Sequence, residues 1–149
     1  NKAEALIHGW NVKLEADLSQ EITLASSLNS TTGYIKDAAN TPMDHIPPMY
    51  GRTALTYQKK SVQLQIFSLY NGWKRLADYS PSGEDNLIYA TKDGMPSWWT
   101  LNFRSDYQLN KTITLQLACE NILNKNYRNF ASGISSPGRN FMITVRSRI

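Results

Sequence analysis

The sequence predicts an all-β fold, an antiparallel transmembrane β-barrel to which this chain contributes about seven strands. Three observations predict it. Apolar and polar residues alternate with a period of two in several separate segments, as in strands with one apolar and one polar face. Short turns and long loops alternate between these segments, and no segment shows convincing helical periodicity.

Each strand is justified by its own alternation of residues. In the first strand, Trp10 and Val12 lie on one side, and Asn11, Lys13 and Glu15 lie on the other. The same pattern returns in every later strand, with some blurring near residue 67. The predicted strands span residues 6–18, 22–29, 52–58, 62–69, 99–109, 113–120 and 141–149.

The connections separate a membrane barrel from a soluble meander of strands. Tight turns alternate with long loops, so all the long loops fall at one end of the sheet, as in outer-membrane barrels. Aromatic residues near strand ends would form interfacial girdles. The tight turns span residues 19–21, 59–60 and 110–112, and the long loops span 32–49, 72–97 and 124–139. The aromatic residues are Tyr50, Tyr57, Tyr70, Trp98, Trp99, Tyr107 and Phe141.

The polar side of the strands is predicted to line an aqueous lumen. A slip of the last strand by one residue would turn Arg146 and Arg148 toward lipid, at a cost of roughly 2–4 kcal/mol each near the midplane. We expect the luminal arginines to pair with carboxylates of the wall or of a plug. The predicted lumen-lining residues are Arg52, Arg104, Asp106, Glu120, Arg146 and Arg148.

Composition excludes several other classes of protein. Hydrophobic residues make up 41% of the 149 residues, but no apolar run approaches the roughly 20 residues of a membrane helix. The net charge is +4 with scattered basic residues, so no nucleic-acid partner is expected. Cys119 is the only cysteine, and His45 beside Asp44 lacks a third ligand, so neither metal nor cofactor is expected. The sequence also lacks a nucleophile elbow, and we do not expect an enzyme.

Seven strands cannot close a membrane barrel with the usual even number of strands. Open edges within lipid would leave backbone groups without hydrogen-bond partners. The chain begins at Asn1 without an initiator methionine or a signal segment, so we expect a fragment of a longer polypeptide. A soluble lipocalin-like small-molecule-binding barrel, completed by one more strand, is the alternative. A passive porin is a third interpretation.

Three motifs resemble those of TonB-dependent outer-membrane receptors. Residues 46–52, Ile-Pro-Pro-Met-Tyr-Gly-Arg, resemble the Ile-Pro-Pro-x-x-Gly-Arg segment that opens a late strand. Residues 120–128, Glu-Asn-Ile-Leu-Asn-Lys-Asn-Tyr-Arg, resemble the family motif of the penultimate strand and its loop. Residues 133–141, which include Pro-Gly-Arg-Asn-Phe, resemble the run into the final strand. All three follow the family order and spacing.

The resemblance implies that residues 1–149 are the C-terminal portion of the barrel, about the last seven of about 22 strands. It also implies energised uptake of a scarce nutrient across the bacterial outer membrane, most often a ferric siderophore or another iron source. The implied partners are membrane lipid, an N-terminal plug, the remaining strands of the same protein, and TonB through an N-terminal segment. One departure is the terminal Ile149, where such barrels usually end in an aromatic residue.

Ligand binding is expected at loop tips and in the outer lumen. Cationic and aromatic side chains there would suit an anionic, aromatic iron chelate, although exposed loops commonly carry mixed residues. The candidates are Tyr34 and Lys36 in the first loop, Trp73, Lys74, Arg75, Tyr79 and Tyr89 in the second, and Tyr127, Arg128 and Phe130 in the third.

Overall fold

The computed structural model describes residues 4–148, which form the expected strands and long loops. Two 3-10 turns, Leu76–Asp78 and Leu87–Tyr89, lie in the second loop. No helix in this part of the chain is long and apolar enough to cross a membrane. The strands are β1 (Ala5–Asp17), β2 (Ile22–Ile35), β3 (Tyr50–Lys59), β4 (Val62–Asn71), β5 (Trp98–Gln108), β6 (Ile113–Glu120) and β7 (Asn140–Ser147). The predicted all-β, seven-stranded fold is therefore confirmed.

The strands form one antiparallel sheet in chain order, from β1 to β7. Each strand pairs with the next in sequence, and β1 does not pair with β7 within residues 4–148. The described sheet is thus open at both edges. A closed lipocalin-like barrel would need those edges to meet or to share one more strand.

The register carries the apolar face across the whole sheet without a slip. Leu24 lies opposite Leu55, Leu55 opposite Ile66, and Ile66 opposite Phe103. Because every pairing joins residues of the same face, the alternation predicted within each strand becomes two continuous surfaces. The apolar surface is exposed in the isolated chain, with Val12 at 57% of its full accessibility.

Aromatic residues bound this apolar surface on two levels. Tyr57 and Tyr107 lie toward the end of the sheet with tight turns, and Tyr70 and Trp99 lie toward the end with long loops. Trp99 and Tyr107 are separated by about 26 Å along β5, or about 20 Å across a bilayer at the usual strand tilt. This is close to the apolar band of about 25 Å in outer-membrane barrels. Trp98 and Tyr50 instead lie on the polar face, so their predicted place in a girdle is wrong.

The second strand is longer than predicted and changes the first loop. β2 continues to Ile35 because its last residues pair with the start of β1, as Tyr34 does with Leu6. The first long loop therefore spans residues 36–49, and Tyr34 lies on a strand. The second long loop spans residues 72–97 and the third spans 121–139. The predicted end of the last strand, Ile149, lies outside the described residues.

Gly51 leaves space on the apolar face for an aromatic ring from the next strand. An added Cβ at Gly51 would lie 2.5 Å from the Tyr70 ring and would also meet the carbonyl oxygen of Ser27. The Tyr70 hydroxyl lies 3.2 Å from Thr53 Oγ1 and donates to the Ser27 carbonyl at 3.3 Å. The glycine of the first family-like motif is therefore explained by an aromatic side chain that covers it.

We predict that Gly51→Ala destabilises the folded barrel by about 1–3 kcal/mol, since the Ser27 carbonyl cannot move without disturbing the ladder. Urea unfolding of the full-length protein in lipid vesicles, followed by tryptophan fluorescence, measures the change. Ser105→Ala, on the same face of β5, is the control because it adds no volume. Equal midpoints for Gly51→Ala and the unsubstituted protein would show that stability does not depend on the close approach of the Tyr70 ring to Gly51.

Candidate functional site

The three long loops contact one another above the same end of the sheet. The first and second loops are joined by a hydrogen bond from the His45 backbone to Asp85 Oδ1, 2.9 Å long. The second and third loops are joined by Asn86 Nδ2, which donates to the Ala131 carbonyl at 2.9 Å. These contacts make the loops a continuous structure that can form shared cavities.

The first loop contains two carboxylates held by hydrogen bonds. Asp37 accepts from the Thr41 hydroxyl at 2.6 Å and from the Thr41 backbone, and the Thr41 bonds lower its pKa. Asp44 accepts from the Ser82 hydroxyl of the second loop, which lowers the pKa of Asp44. Lys36 forms an ion pair with Glu4 at 2.9 Å, so its charge is balanced at the edge of the loops.

His45 contacts two acidic residues through opposite sides of its ring. Nε2 lies 3.1 Å from Glu84 Oε2, and Nδ1 lies 3.5 Å from Asp85 Oδ1. The carboxylates of Glu84 and Asp85 therefore do not converge with the His45 ring on one point, as metal ligands would. Within residues 4–148, no group of three or more His, Cys, Asp or Glu side chains is arranged to hold a metal ion.

One cavity of about 520 Å³ lies between the end of β2 and the first two loops. Tyr34, Trp73 and Lys74 line it together with Pro47 and Met49. The Trp73 indole donates to the Asp93 carbonyl at 3.0 Å, which holds the ring in place. The Arg75 guanidinium lies 4.1 Å from the centre of the Trp73 ring, so an exposed cation and an aromatic ring meet beside this cavity.

A second cavity, of about 290 Å³, lies between the second and third loops. Tyr89, Trp98, Tyr127 and Arg128 line it, and Lys125 adds another cation. The rings of Trp98 and Tyr127 are 4.2 Å apart and tilted by 37°. Arg128 donates to the Tyr89 carbonyl at 2.6 Å, a bond that orients the guanidinium in the wall of the cavity.

The structure divides the predicted ligand-binding residues into three groups. Six of them line the two cavities, namely Tyr34, Trp73, Lys74, Tyr89, Tyr127 and Arg128. Arg75 stacks on Trp73, and Lys36 is paired with Glu4. Tyr79 and Phe130 form the third group, which is packed within the loops beside Lys74. Lys74 and Tyr79 are only 4% and 6% exposed, and Phe130 packs edge-on against Tyr79.

Asn121, which the sequence reasoning did not single out, organises the third loop. It follows β6 directly, is 3% exposed and has a left-handed backbone with φ of 48°. Its side chain donates to the carbonyls of Lys125 and Pro137 and accepts from the Lys125 backbone. Its backbone N–H donates to Asn102 Oδ1 on β5 at 2.9 Å. An asparagine directly after a strand is a turn signal that could have identified this position.

The two remaining family-like motifs are bonded to each other. The Arg139 backbone donates to Asn124 Oδ1 at 3.0 Å, and Arg139 Nε donates to the Ile122 carbonyl at 2.9 Å. A Cβ at Gly138 would lie 2.6 Å from Asn124 Oδ1, so a larger residue at this position would displace the Asn124 side chain from its contact with Arg139. These two hydrogen bonds join the end of the third loop to its start, next to β6, and they explain the spacing of the two motifs.

The predicted lumen-lining residues of the strands all lie on the polar face. Arg52 donates to Gln65 at 2.7 Å and lies 4.5 Å from the centre of the Phe67 ring. Asp106 accepts from Gln116 at 2.6 Å. Within residues 4–148, none of the arginines forms an ion pair with Asp106 or Glu120, and pairing with other carboxylates of the wall or of a plug stays a prediction. The residues placed by register are Arg52, Arg104, Asp106, Glu120 and Arg146. Arg148 lies just beyond β7, and its N–H donates to the Thr112 carbonyl.

Comparison with known proteins gives one family. A model of the family described as TonB dependent receptor-like, beta-barrel, matches residues 1–122. No curated protein matches the chain in sequence.

Solved structures show the same fold over almost the whole chain. The copper transporter OprC is 15% identical with a TM-score of 0.80, and the match covers 96% of this chain and 24% of that one. The ferric-catecholate import receptor Fiu of E. coli K12, in its open form, is 14% identical with a TM-score of 0.65, covering 96% and 21%. The ferric yersiniabactin uptake receptor FyuA from Yersinia pestis is 11% identical with a TM-score of 0.66, covering 99% and 24%. The chain spans about a quarter or less of these proteins.

We predict that Asn121→Asp opens the third loop. The substitution keeps the acceptor for the Lys125 N–H and the backbone conformation, but it leaves the partly buried carbonyls of Lys125 and Pro137 without this donor, at about 1 kcal/mol each. Limited proteolysis of the full-length protein in membranes should cleave residues 125–137 at least about tenfold faster. Asn126→Asp, at an exposed position in the same loop, is the control. Equal cleavage of the two variants would contradict the role of Asn121.

Proposed function

This chain belongs to the TonB-dependent receptor β-barrel family, and we propose that it forms the C-terminal seven or so strands of a barrel of about 22 strands. The family consists of non-enzymatic transporters of the outer membrane, so the chain is part of an outer-membrane protein and not of an enzyme. The apolar face of the sheet then contacts the lipid of the membrane. The soluble lipocalin-like and porin interpretations are therefore set aside.

The proposed partners follow from the open sheet and the polar face. The edges of β1 and β7 would pair with the remaining strands of the same polypeptide, because unpaired strand edges are not tolerated in lipid. The polar face, with Arg52 and Arg104, would surround an N-terminal plug. TonB would act through a segment near the N-terminus of the complete protein. No nucleic acid is among the proposed partners.

We propose that the long loops bind a scarce nutrient from outside the cell, and that this nutrient is a ferric siderophore or another iron chelate. The second cavity is the main support for this proposal, because the paired rings of Trp98 and Tyr127 lie there beside the cations Lys125 and Arg128. Flat aromatic groups stack on such rings, and anionic oxygens bind a guanidinium through charge-assisted hydrogen bonds. Catecholate chelates combine both properties.

Uptake by a strain that lacks the gene for the full-length protein tests the nutrient. The strain is supplied in turn with a ferric catecholate, a ferric hydroxamate, haem, cobalamin and a copper salt, each with and without a functional TonB. Loss of ferric-catecholate uptake alone, restored by the intact gene, is the expected result. Loss of copper or cobalamin uptake instead would overturn the proposed nutrient but keep the transport function. TonB-independent uptake would overturn the transport mechanism.

We predict that Arg128→Gln weakens binding of a ferric catecholate to the full-length protein by about tenfold, since one charge-assisted hydrogen bond is lost. Tyr127→Leu should weaken binding by a similar factor because it removes the stacked ring. Quenching of intrinsic fluorescence on titration with the chelate measures both. Lys92→Gln removes an exposed cation of the second loop that lines neither cavity, and it should change the affinity less than about twofold. If Lys92→Gln weakened binding as much as Arg128→Gln, the effect would reflect the total charge of the loops and not a specific contact of Arg128.

We predict that the two faces of β4 differ in their tolerance of an arginine. Ile66→Arg places a cation on the apolar face, midway between the two aromatic levels because Ile66 lies opposite Phe103, and should destabilise the full-length barrel by up to about 4 kcal/mol. Gln63→Arg, three residues away, places the same cation on the polar face opposite Asp106 and should be nearly neutral. Folding into lipid vesicles, followed by the electrophoretic mobility of unheated samples, compares them. Equal folding of both variants would contradict the assignment of the apolar face to lipid.

A further inference from the structure

Lys74 is a buried cation at the centre of the loops. Its side chain is 4% exposed, which is rare for lysine unless the charge has partners. The residue follows β4 closely and forms an isolated antiparallel pair with Met95, with backbone hydrogen bonds of 3.0 and 2.9 Å. This pair holds the two ends of the second loop together and fixes the start of the lysine side chain.

The ammonium group of Lys74 contacts all three long loops. Nζ donates to the Ile46 carbonyl of the first loop at 2.7 Å. It lies 5.8 Å from the centre of the Tyr79 ring in the second loop and 5.0 Å from that of Phe130 in the third. A cation over an aromatic face is more strongly attracted when both are removed from water. No other contact described above joins the three loops through one side chain.

Asp85 provides the opposite charge within the same interior. It is 1% exposed, and its Oδ1 accepts from the His45 backbone of the first loop. Its other oxygen, and the Tyr79 hydroxyl, have no hydrogen-bond partner within the described part of the chain. Burial lowers the pKa of Lys74, while Asp85 and Asp78 oppose that shift. Burial and Asp85 both raise the pKa of Tyr79.

We propose that Lys74 is a latch that joins the three long loops into one cooperative lid. Loss of the ammonium would leave the Ile46 carbonyl without its donor, remove the attraction to the Phe130 ring and weaken the electrostatic interaction with Asp85. An acceptor that loses its donor within a partly buried contact is destabilising for this reason. The loops therefore open together and close together, although they are separated along the chain by whole strands.

The latch also links the two cavities of the loop end. Lys74 lines the first cavity and Met95 lines the second, and the two residues are bonded to each other. The Lys74–Met95 pair is thus a shared wall. Opening of the lid changes both cavities at once, whichever nutrient the protein transports.

Hydrogen exchange of the full-length protein in outer-membrane vesicles, without any added ligand, tests the latch. Lys74→Met keeps the length and apolar stem of the side chain and removes its charge. The expected result is exchange about tenfold faster in residues 37–49, 76–95 and 125–137 together, with unchanged exchange in the strands. Lys36→Met removes the exposed cation of the Glu4 ion pair at the same end of the sheet. It is the control and should affect only its own neighbours.

Faster exchange confined to residues 76–95, or no change at all, would overturn the proposal. Phe130→Leu is a second variant in case Lys74→Met does not assemble, since it keeps an apolar side chain and removes only the ring. Phe130→Leu should speed hydrogen exchange in residues 125–137 and also in residues 37–49. Release of residues 125–137 alone would show that the loops open independently and would equally overturn the latch. Neither result depends on transport activity, so a wrong nutrient assignment would not affect the test.

Discussion

The unbroken hydrogen-bond register of the sheet is the constraint on which the rest of the structure depends. Lipid offers no substitute for a missing backbone partner, and a slip by one residue would exchange the two faces of a strand. The observed pairing keeps Leu24, Leu55 and Ile66 on one surface. The same pairing keeps Arg52 and Arg104 on the other surface, away from lipid. Hydrogen bonding and hydropathy therefore select the same arrangement.

The long loops rely on the strand ends for their order. Asn102 on β5 binds the backbone of Asn121 directly after β6, so the base of the third loop is tied to the sheet. Ordering loops of this length costs conformational entropy that contacts within the loops must offset. The loops bury few large apolar residues, chiefly Tyr79 and Met95. Polar groups such as Lys74 consequently take a central part in holding the loops together.

Local pattern was sufficient to predict most of the sheet but not all of it. The predicted bounds of β4 and β6 agree closely with the structure because alternation there is strong. The end of β2 was missed, since the small and polar residues 30–33 resemble a loop and become a strand only by pairing with β1. The residue type and position of Trp98 predict a place in a girdle. Its ring instead packs against Tyr127 of the third loop, and the alternation of apolar and polar residues does not predict how a loop is folded.

The sequence by itself determined the number of strands, their two faces and the alternation of short and long connections. These features follow from the identity of residues close together in the chain. Only the tertiary structure decided which loop residues are buried and which line a cavity. Lys74 is buried through a carbonyl 28 residues away, and Arg128 is oriented by one 39 residues away. Such contacts have no local signature, because a lysine or arginine in a polar loop is ordinarily exposed.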